Sequence, residues 1–307
     1  MQAEASAGSP EPLGAWLTQD GANFAFPAPH ATAVFVCIFD ARDREIARIR
    51  LPGRTGDVHH GHVVGLAEGA RYGLRAEGPW DPGRGHRFNP AKLLVDPWAR
   101  ALDRPFALHP GLFDTGENPD AADSAAVMPK AVLTPALSPG PKRAVPRGPQ
   151  VIYEMHVKGF TARHPRIPAA IRGTFAALAH PAAIEHLVGL GVTAVELMPA
   201  AAWVDERHLP ALGLSNYWGY NPVAPLCPDP RIAPGGMAEL RAVVAALHEA
   251  GLSVIQDVVL NHTGESDHLG PTLGLRGLAN AAFYRLNPND PRFYVDDAGC
   301  GLSLIHI

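Results

Sequence analysis

Through the first third of the chain, apolar and polar residues change places every one or two positions. Residues 23–26 alternate into two aromatics, and 33–39 are rich in Val, Ile and Phe. Residues 46–51 alternate apolar groups with Arg, 62–66 are apolar, and 72–76 place Tyr, Leu and Ala on one face. Pro27, Pro29, Pro52-Gly53 and Glu68-Gly69 punctuate these runs. Short strands at this spacing, with no helical period between them, predict an all-β sandwich.

From Pro110 the pattern is lost, and Asp, Asn, Ala and Pro dominate as far as 150, ending in Ser138-Pro139-Gly140-Pro141 and Pro146-Arg147-Gly148-Pro149. Proline at this density removes ladder donors and disfavours helix, which predicts a surface linker. The expected organisation is a sandwich over 1–109, a Pro-rich linker over 110–149 and a second domain over 150–307.

The period then changes. Residues 151–157 read as a buried strand. Pro181 opens a helix carrying Ile184, Leu187, Val188 and Leu190, with Gly191 as its stop. Residues 193–198 read as a second strand. Met237, Leu240, Val243, Val244 and Leu247 form a second helical stripe closed by Gly251, and 252–260 read as a third strand. The order β-α-β-α-β argues for parallel pairing through right-handed crossovers. Periodicity alone fits the start of a closed barrel and the start of a doubly wound sheet equally well.

A hydrophobic fraction of 47% and a charged fraction of 18% place the chain among globular proteins rather than disordered ones. The formal net charge of −4 supplies no basic footprint, so neither nucleic acid nor an anionic membrane is an expected partner. The first residues lack the charged start and apolar run of a secretory signal, and the apolar stretch near Val243 is too short to span a bilayer. Cys37, Cys227 and Cys300 fit neither a zinc pattern nor a disulfide framework; reduced thiols in the cytoplasm are expected.

Reactive groups in a parallel α/β domain gather at the C-terminal ends of its strands. Those ends carry 153–160, the long loop 214–222, and 257–263. A pyranose needs an aromatic ring beneath its apolar face and carboxylates, amides or His around its hydroxyl rim. Tyr217, Trp218 and Tyr220 supply the aromatics, and Asp257, Asn261 and His262 supply the rim. Taken singly, Asp257 is as well explained as a buried acid with its partners, His262 as a loop cap, and the aromatics as packing. Their joint position on strand ends raises the functional reading.

Asp257-Val258-Val259-Leu260-Asn261-His262 resembles the first short signature region of the α-amylase superfamily. The succession of 153–160, Arg172-Gly173-Thr174, 191–199 and 215–222 resembles the order found in isoamylase-type bacterial glycogen-debranching proteins, and the loop Asn216-Tyr217-Trp218-Gly219-Tyr220 differs from that usual in branching enzymes and plain α-amylases. Residues 85–94, from Gly85-His86-Arg87-Phe88-Asn89-Pro90 onward, resemble that family's joint between a β-sandwich glycan-binding module and a barrel. The resemblance runs from about Leu13 to Gly301. It implies a β-sandwich followed by the first part, about three βα units, of a TIM (β/α)8 barrel. It implies hydrolysis of α-1,6 branch linkages in glycogen by a retaining mechanism, with glycogen or another branched α-glucan as partner. Tyr220 would stack under the sugar at the cleavage subsite, with Trp218 beside it, His262 and Asn261 would meet its hydroxyls, and Asp257 would hold the site's architecture. The position of Asn261 ligates calcium in some relatives; no metal and no cofactor is expected here.

Such glycosidases need two carboxyl groups about 5 Å apart, one nucleophile and one acid/base. The family carries them after later strands, and Glu154, Glu196 and Asp257 do not correspond to them. The last residues, Leu302-Ser303-Leu304-Ile305-His306-Ile307, depart from the family pattern. The expectation is a copy truncated after its third strand and inactive alone. Within the superfamily, an isoamylase or a trehalose-forming hydrolase is the near alternative. A different class of reading is a glucan-binding module without catalysis, in which Trp16, Trp80 and Trp98 are the stacking candidates. A nucleotide enzyme is disfavoured because no Gly-rich phosphate loop follows 151–157 or 193–198.

Overall fold

The computed structural model describes residues 4–137, 140 and 149–306. Its first part holds β1 (Gly14–Leu17), β2 (Gly21–Pro27), β3 (Ala33–Phe39), β4 (Glu45–Arg50), β5 (Val58–Val64), β6 (Arg71–Glu77) and β7 (Ala131–Val132). One antiparallel sheet pairs β5 with β2 and β2 with β1; the other runs β7-β6-β3-β4. Phe24 and Phe26 of β2, Val34 and Val36 of β3, and Leu74 of β6 are fully buried between the sheets. Full burial of each such side chain stabilises the fold by roughly 1.5–3 kcal/mol relative to exposure. This is the sandwich that the alternation predicts. The edge-on ring pair Phe24–Tyr72, 5.4 Å between centroids, joins the two layers. Behind it the Tyr72 hydroxyl donates to Asp96 Oδ2 at 2.6 Å, in a place where burial pushes the Asp96 carboxyl up to about 6.

Residues 110–137 differ from the expected surface linker. Leu112, Met128, Ala131 and Leu133 lie in the sandwich core, and β7 extends the sheet beside β6. The polar composition has a local cause: short side chains here satisfy buried donors. The fully buried Lys92 ammonium donates to Gly111 O, Asp120 Oδ2 and Ala122 O. The nearly fully buried Arg75 donates to both Asp123 carboxylate oxygens and to Glu45. Positions 138–139 and 141–148, which contain the densest prolines, lie outside the described residues.

The second part comprises β8 (Ile152–Met155), α1 (Val157–Thr161), α2 (Phe175–Leu178), α3 (Pro181–Gly189), β9 (Ala194–Leu197), β10 (Ala201–Trp203), β11 (Pro222–Pro228), α4 (Gly236–Glu249), β12 (Ser253–Gln256) and α5 (Leu275–Phe283). β8, β9 and β12 pair in parallel in that order, with Tyr153 opposite Val195 and Val195 opposite Val254. Gly191 and Gly251 follow the long helices at φ +75 and +88, a left-handed turn that favours glycine and sends the chain back into the sheet.

The strands are shorter than the apolar runs that announced them. Ile152 on β8 is 53% exposed, and beyond β12 Val258 and Leu260 are 59% and 63% exposed. The two outer strands of this sheet have no further neighbour among the described residues, so their apolar side chains face outward. Three α/β units in sequence are present, and among the described residues they form an open three-stranded sheet.

The sandwich interior extends into the second part, whose parallel sheet keeps a separate core of its own around Val195, Leu197 and Leu247. Ala202, Val204, Val223, Ala224 and Cys227 of the β10–β11 region, with Leu273 and Leu278 at α5, belong to the same buried cluster as the sandwich interior. The segment 85–95 forms the seam. Asn280 Nδ2 donates to Gly85 O at 2.9 Å, Val95 N to Leu273 O at 2.8 Å, and Arg87 to Arg292 O at 3.2 Å. All three cysteines are free, and among the described residues no helix is long and apolar enough to cross a membrane.

Candidate functional site

The backbone amide of Asp257 continues the parallel ladder by donating to Leu197 O at 3.0 Å, which carries its side chain past the end of β12. Its Oδ2 accepts from the Tyr220 hydroxyl at 2.6 Å. That bond is the main reason the Tyr220 phenol is pushed up to about 12 and remains a donor at neutral pH. The ring itself is 38% exposed, open on one side.

His262 is only 6% exposed and touches Tyr220 from behind. Its Nε2 lies 2.7 Å from Tyr220 O and its Nδ1 3.1 Å from Asn261 Oδ1. Burial lowers the imidazole's proton affinity, so the neutral ring donates from Nε2 to the carbonyl. Nδ1 then accepts, a role satisfied when Asn261 turns its amide nitrogen inward. The resemblance would put His262 on a sugar hydroxyl; here both ring nitrogens already hold protein groups, and the imidazole fixes the backbone that carries Tyr220.

The neighbouring aromatics form a separate stack. Tyr217 lies flat on His156, 4.0 Å between centroids at 9°, and Trp218 meets Tyr217 edge-on at 5.2 Å while remaining 55% exposed. His156 Nδ1 accepts from Gly159 N at 3.0 Å, so its Nε2 donates to Tyr217 O at 2.5 Å. Gly159 leaves the space that this needs, since a Cβ there would sit 2.3 Å from the Tyr217 hydroxyl.

Sequence reasoning missed several groups. Asp205 and Glu206 hold the aromatic loop through Asn216, by Asn216 N to Asp205 Oδ1 and Asn216 Nδ2 to Glu206 Oε1, both 2.8 Å. Asn216 Oδ1 in turn accepts from Gly219 N. The buried Arg276 guanidinium donates to Gly270 O, Pro271 O, Glu265 O, Ser266 O and Asp267 O, gathering the loop after His262 around one cation. Contacts between side chain and backbone up to 11 positions apart identify these residues, and no spacing rule contains them; the nearest signal was Gly264, Asp267 and Gly270 in one short loop.

Tyr220 and His262 line a cleft of about 1010 Å³, of mixed polar and apolar lining, together with Asp205, Glu206, His208 and Asp267. A second hollow of about 320 Å³ runs along 256–260 beside Pro225 and Leu226 and is almost wholly apolar. Hydroxyl-rich ligands need the donors and acceptors of the first. Of the predicted residues, Tyr220, Asp257, His262 and Asn261 come together. Trp218 is held by Tyr217 and His156 instead. Among the described residues, no group of three or more His, Cys, Asp and Glu side chains is placed to hold a metal ion. Of the three tryptophans considered on the sandwich, Trp98 packs between Phe26 and Phe283, Trp16 lies under Arg100, and Trp80 donates to Glu117 O.

Residues 12–99 match carbohydrate-binding module 48 (isoamylase N-terminal domain). Over 305 residues the chain is 48% identical to the glycogen debranching enzyme of Yersinia pseudotuberculosis serotype IB (strain PB1/+), covering 97% of this chain and 46% of that protein. The chain is a homologue of the glycogen debranching enzymes. The protein of that name from Yersinia enterocolitica serotype O:8 / biotype 1B matches equally, at 48% over 307 residues. The chain spans about half the length of these curated relatives. Among solved structures, the pullulanase from Bacillus acidopullulyticus superposes with a TM-score of 0.71 at 22% identity, over 97% of this chain and 35% of that one. A pullulanase from Paenibacillus barengoltzii in complex with maltohexaose and alpha-cyclodextrin gives 0.69 at 21% identity, over 97% and 44%. At those identities the likeness speaks for the fold alone.

Proposed function

We propose that this chain is the glucan-gripping front part of an α-1,6-glucosidase that debranches glycogen, and that β8, β9 and β12 are the opening strands of its (β/α)8 barrel. The carrying observation is the unit made by Asp257, directly after β12 of the parallel sheet, Tyr220 of the loop before β11, and His262. The Tyr220 ring is open on one side, and its hydroxyl and its backbone carbonyl are each tied to one of the other two residues. A ring fixed at both ends stacks under a pyranose without a large entropy cost on binding. The exposed Trp218 extends the aromatic surface.

Asp257 spends one carboxylate oxygen on Tyr220, which suits a positioning role. Glu154 and Glu196 stand opposite each other in the parallel register. No nucleophile or acid/base is assigned to either, because the family places those groups after later strands. In this reading the retaining double displacement needs carboxylates outside these 307 residues, and the place of action is the cytoplasm. The 307-residue chain therefore binds maltoheptaose but releases no linear glucan from a glycogen limit dextrin. Titration with maltoheptaose and a reducing-end assay test both parts. A chain that ignores maltoheptaose, or one that shortens the dextrin, overturns the reading.

A second reading is glucan binding without catalysis, favoured by the match of residues 12–99 to a carbohydrate-binding module. It predicts maltoheptaose binding whose stoichiometry and affinity Tyr220→Ala leaves unchanged.

A further inference from the structure

A cleft of about 460 Å³ lies in the seam between the two parts of the molecule, away from Tyr220. The sandwich side contributes Arg87, Thr115 and Glu117; the other side contributes His268, Asp290 and the Arg292–Phe293 pair. Phe293 is 40% exposed and meets the His268 ring edge-on, 4.7 Å between centroids. The Arg292 guanidinium is folded back on Asp290, with Nε to Oδ1 and the terminal nitrogen to Oδ2 both at 2.8 Å. Arg87 is 5% exposed and spends one nitrogen on Arg292 O, while its Nε has no partner.

Two cations and two carboxylates line the cleft, so it selects no ligand by charge. An exposed aromatic face ringed by a hydroxyl, a carboxylate, an imidazole and a guanidinium is the surface that a neutral polyhydroxylated ring requires. The volume falls in the range of small-molecule sites. The loop 266–268 separates this cleft from the first: Ser266 and Asp267 line the Tyr220 cleft, and His268 lines the seam.

We propose that the seam is a second α-glucan subsite, with Phe293 as its platform and Arg87, Thr115, Glu117 and His268 on its rim. It rests on the reading that the chain takes α-glucan, and it adds a place where the continuing arm of a branched glucan, or a second arm, is held against the sandwich.

Calorimetric titration of the full 307-residue chain with maltoheptaose tests this. Two sites per chain are expected. Phe293→Ala weakens one at least tenfold and leaves the other unchanged; Tyr220→Ala does the reverse. Thr115→Trp, which fills the seam from an exposed position, reproduces the effect of Phe293→Ala and guards against a folding defect. If Phe293→Ala and Thr115→Trp both leave stoichiometry and affinities within twofold of the parent, the subsite does not exist. If Tyr220→Ala alone removes all binding, the seam proposal falls and the debranching reading stands. If Tyr220→Ala changes nothing while Phe293→Ala removes binding, the debranching reading falls and the seam stands. A parent chain that binds no maltoheptaose overturns both.

Discussion

The Tyr220 hydroxyl donates to Asp257 Oδ2 at 2.6 Å across 37 positions of sequence, joining the aromatic loop before β11 to the end of β12. Tyr220→Phe keeps the ring and removes this tie. A net hydrogen bond of about 0.5–1.5 kcal/mol corresponds to a roughly two- to twelvefold loss of maltoheptaose affinity. Tyr220→Ala, which also removes the platform, loses substantially more. Equal affinities for Tyr and Phe, measured by calorimetry, would show that Asp257 does not orient the ring.

His262 carries a pH signature. Burial lowers its folded pKa below the ordinary 6.5, so its contribution to stability is fully present above pH 6.5 and declines as the pH falls below it. The difference in melting temperature between the parent and His262→Gln therefore shrinks from pH 7.5 to pH 5. A difference that widens in acid contradicts the assignment of a neutral ring donating to Tyr220 O.

Gly159 is the space into which Tyr217 fits. A methyl group there meets the Tyr217 hydroxyl at 2.3 Å, so Gly159→Ala displaces the ring from His156. Overpacking of this kind costs about 1–3 kcal/mol. The expected result is a lower melting temperature with weakened maltoheptaose binding. A variant that melts with the parent and binds equally would mean that Tyr217 moves aside freely.

Asp96 gives the opposite pH slope. Its folded pKa is raised to about 6 by burial, above the ordinary 3.8, so the folded state takes up a proton before the unfolded state does. Its contribution becomes more favourable as the pH falls from about 6 toward 4, by about 1.4 kcal/mol per unit at most. Compared with Asp96→Asn, the parent gains melting temperature over that window. A flat or falling difference sinks the claim.

The sandwich was legible because its signal is local: 33–39 reads as a strand on its own residues and is β3 in the structure. Gly191 and Gly251 likewise announced the helix ends through one backbone angle each. Residues 110–137 were misread because their Asp and Ser residues look solvated until Lys92, Arg75 and Leu93 are brought against them. The run 252–260 was read as one strand because apolar residues look buried, whereas exposure depends on which neighbour is present. At the site, residue types pointed to Tyr220, Asp257 and His262. That His262 holds the backbone of Tyr220 is a distance between residues 42 positions apart, and no spacing rule contains it.

The sandwich core that extends into the second part carries a consequence for how this protein is taken apart. Cutting near residue 140 would strip cover from Ala202, Val204, Val223, Leu273 and Leu278, the apolar patch against which the sandwich interior closes. The sandwich is thus a wall of the part that follows rather than a bead on a string. Heat or denaturant should take the sandwich and the β10–β11 region in a single transition, and exchanging the sandwich between relatives requires exchanging the residues of that patch with it.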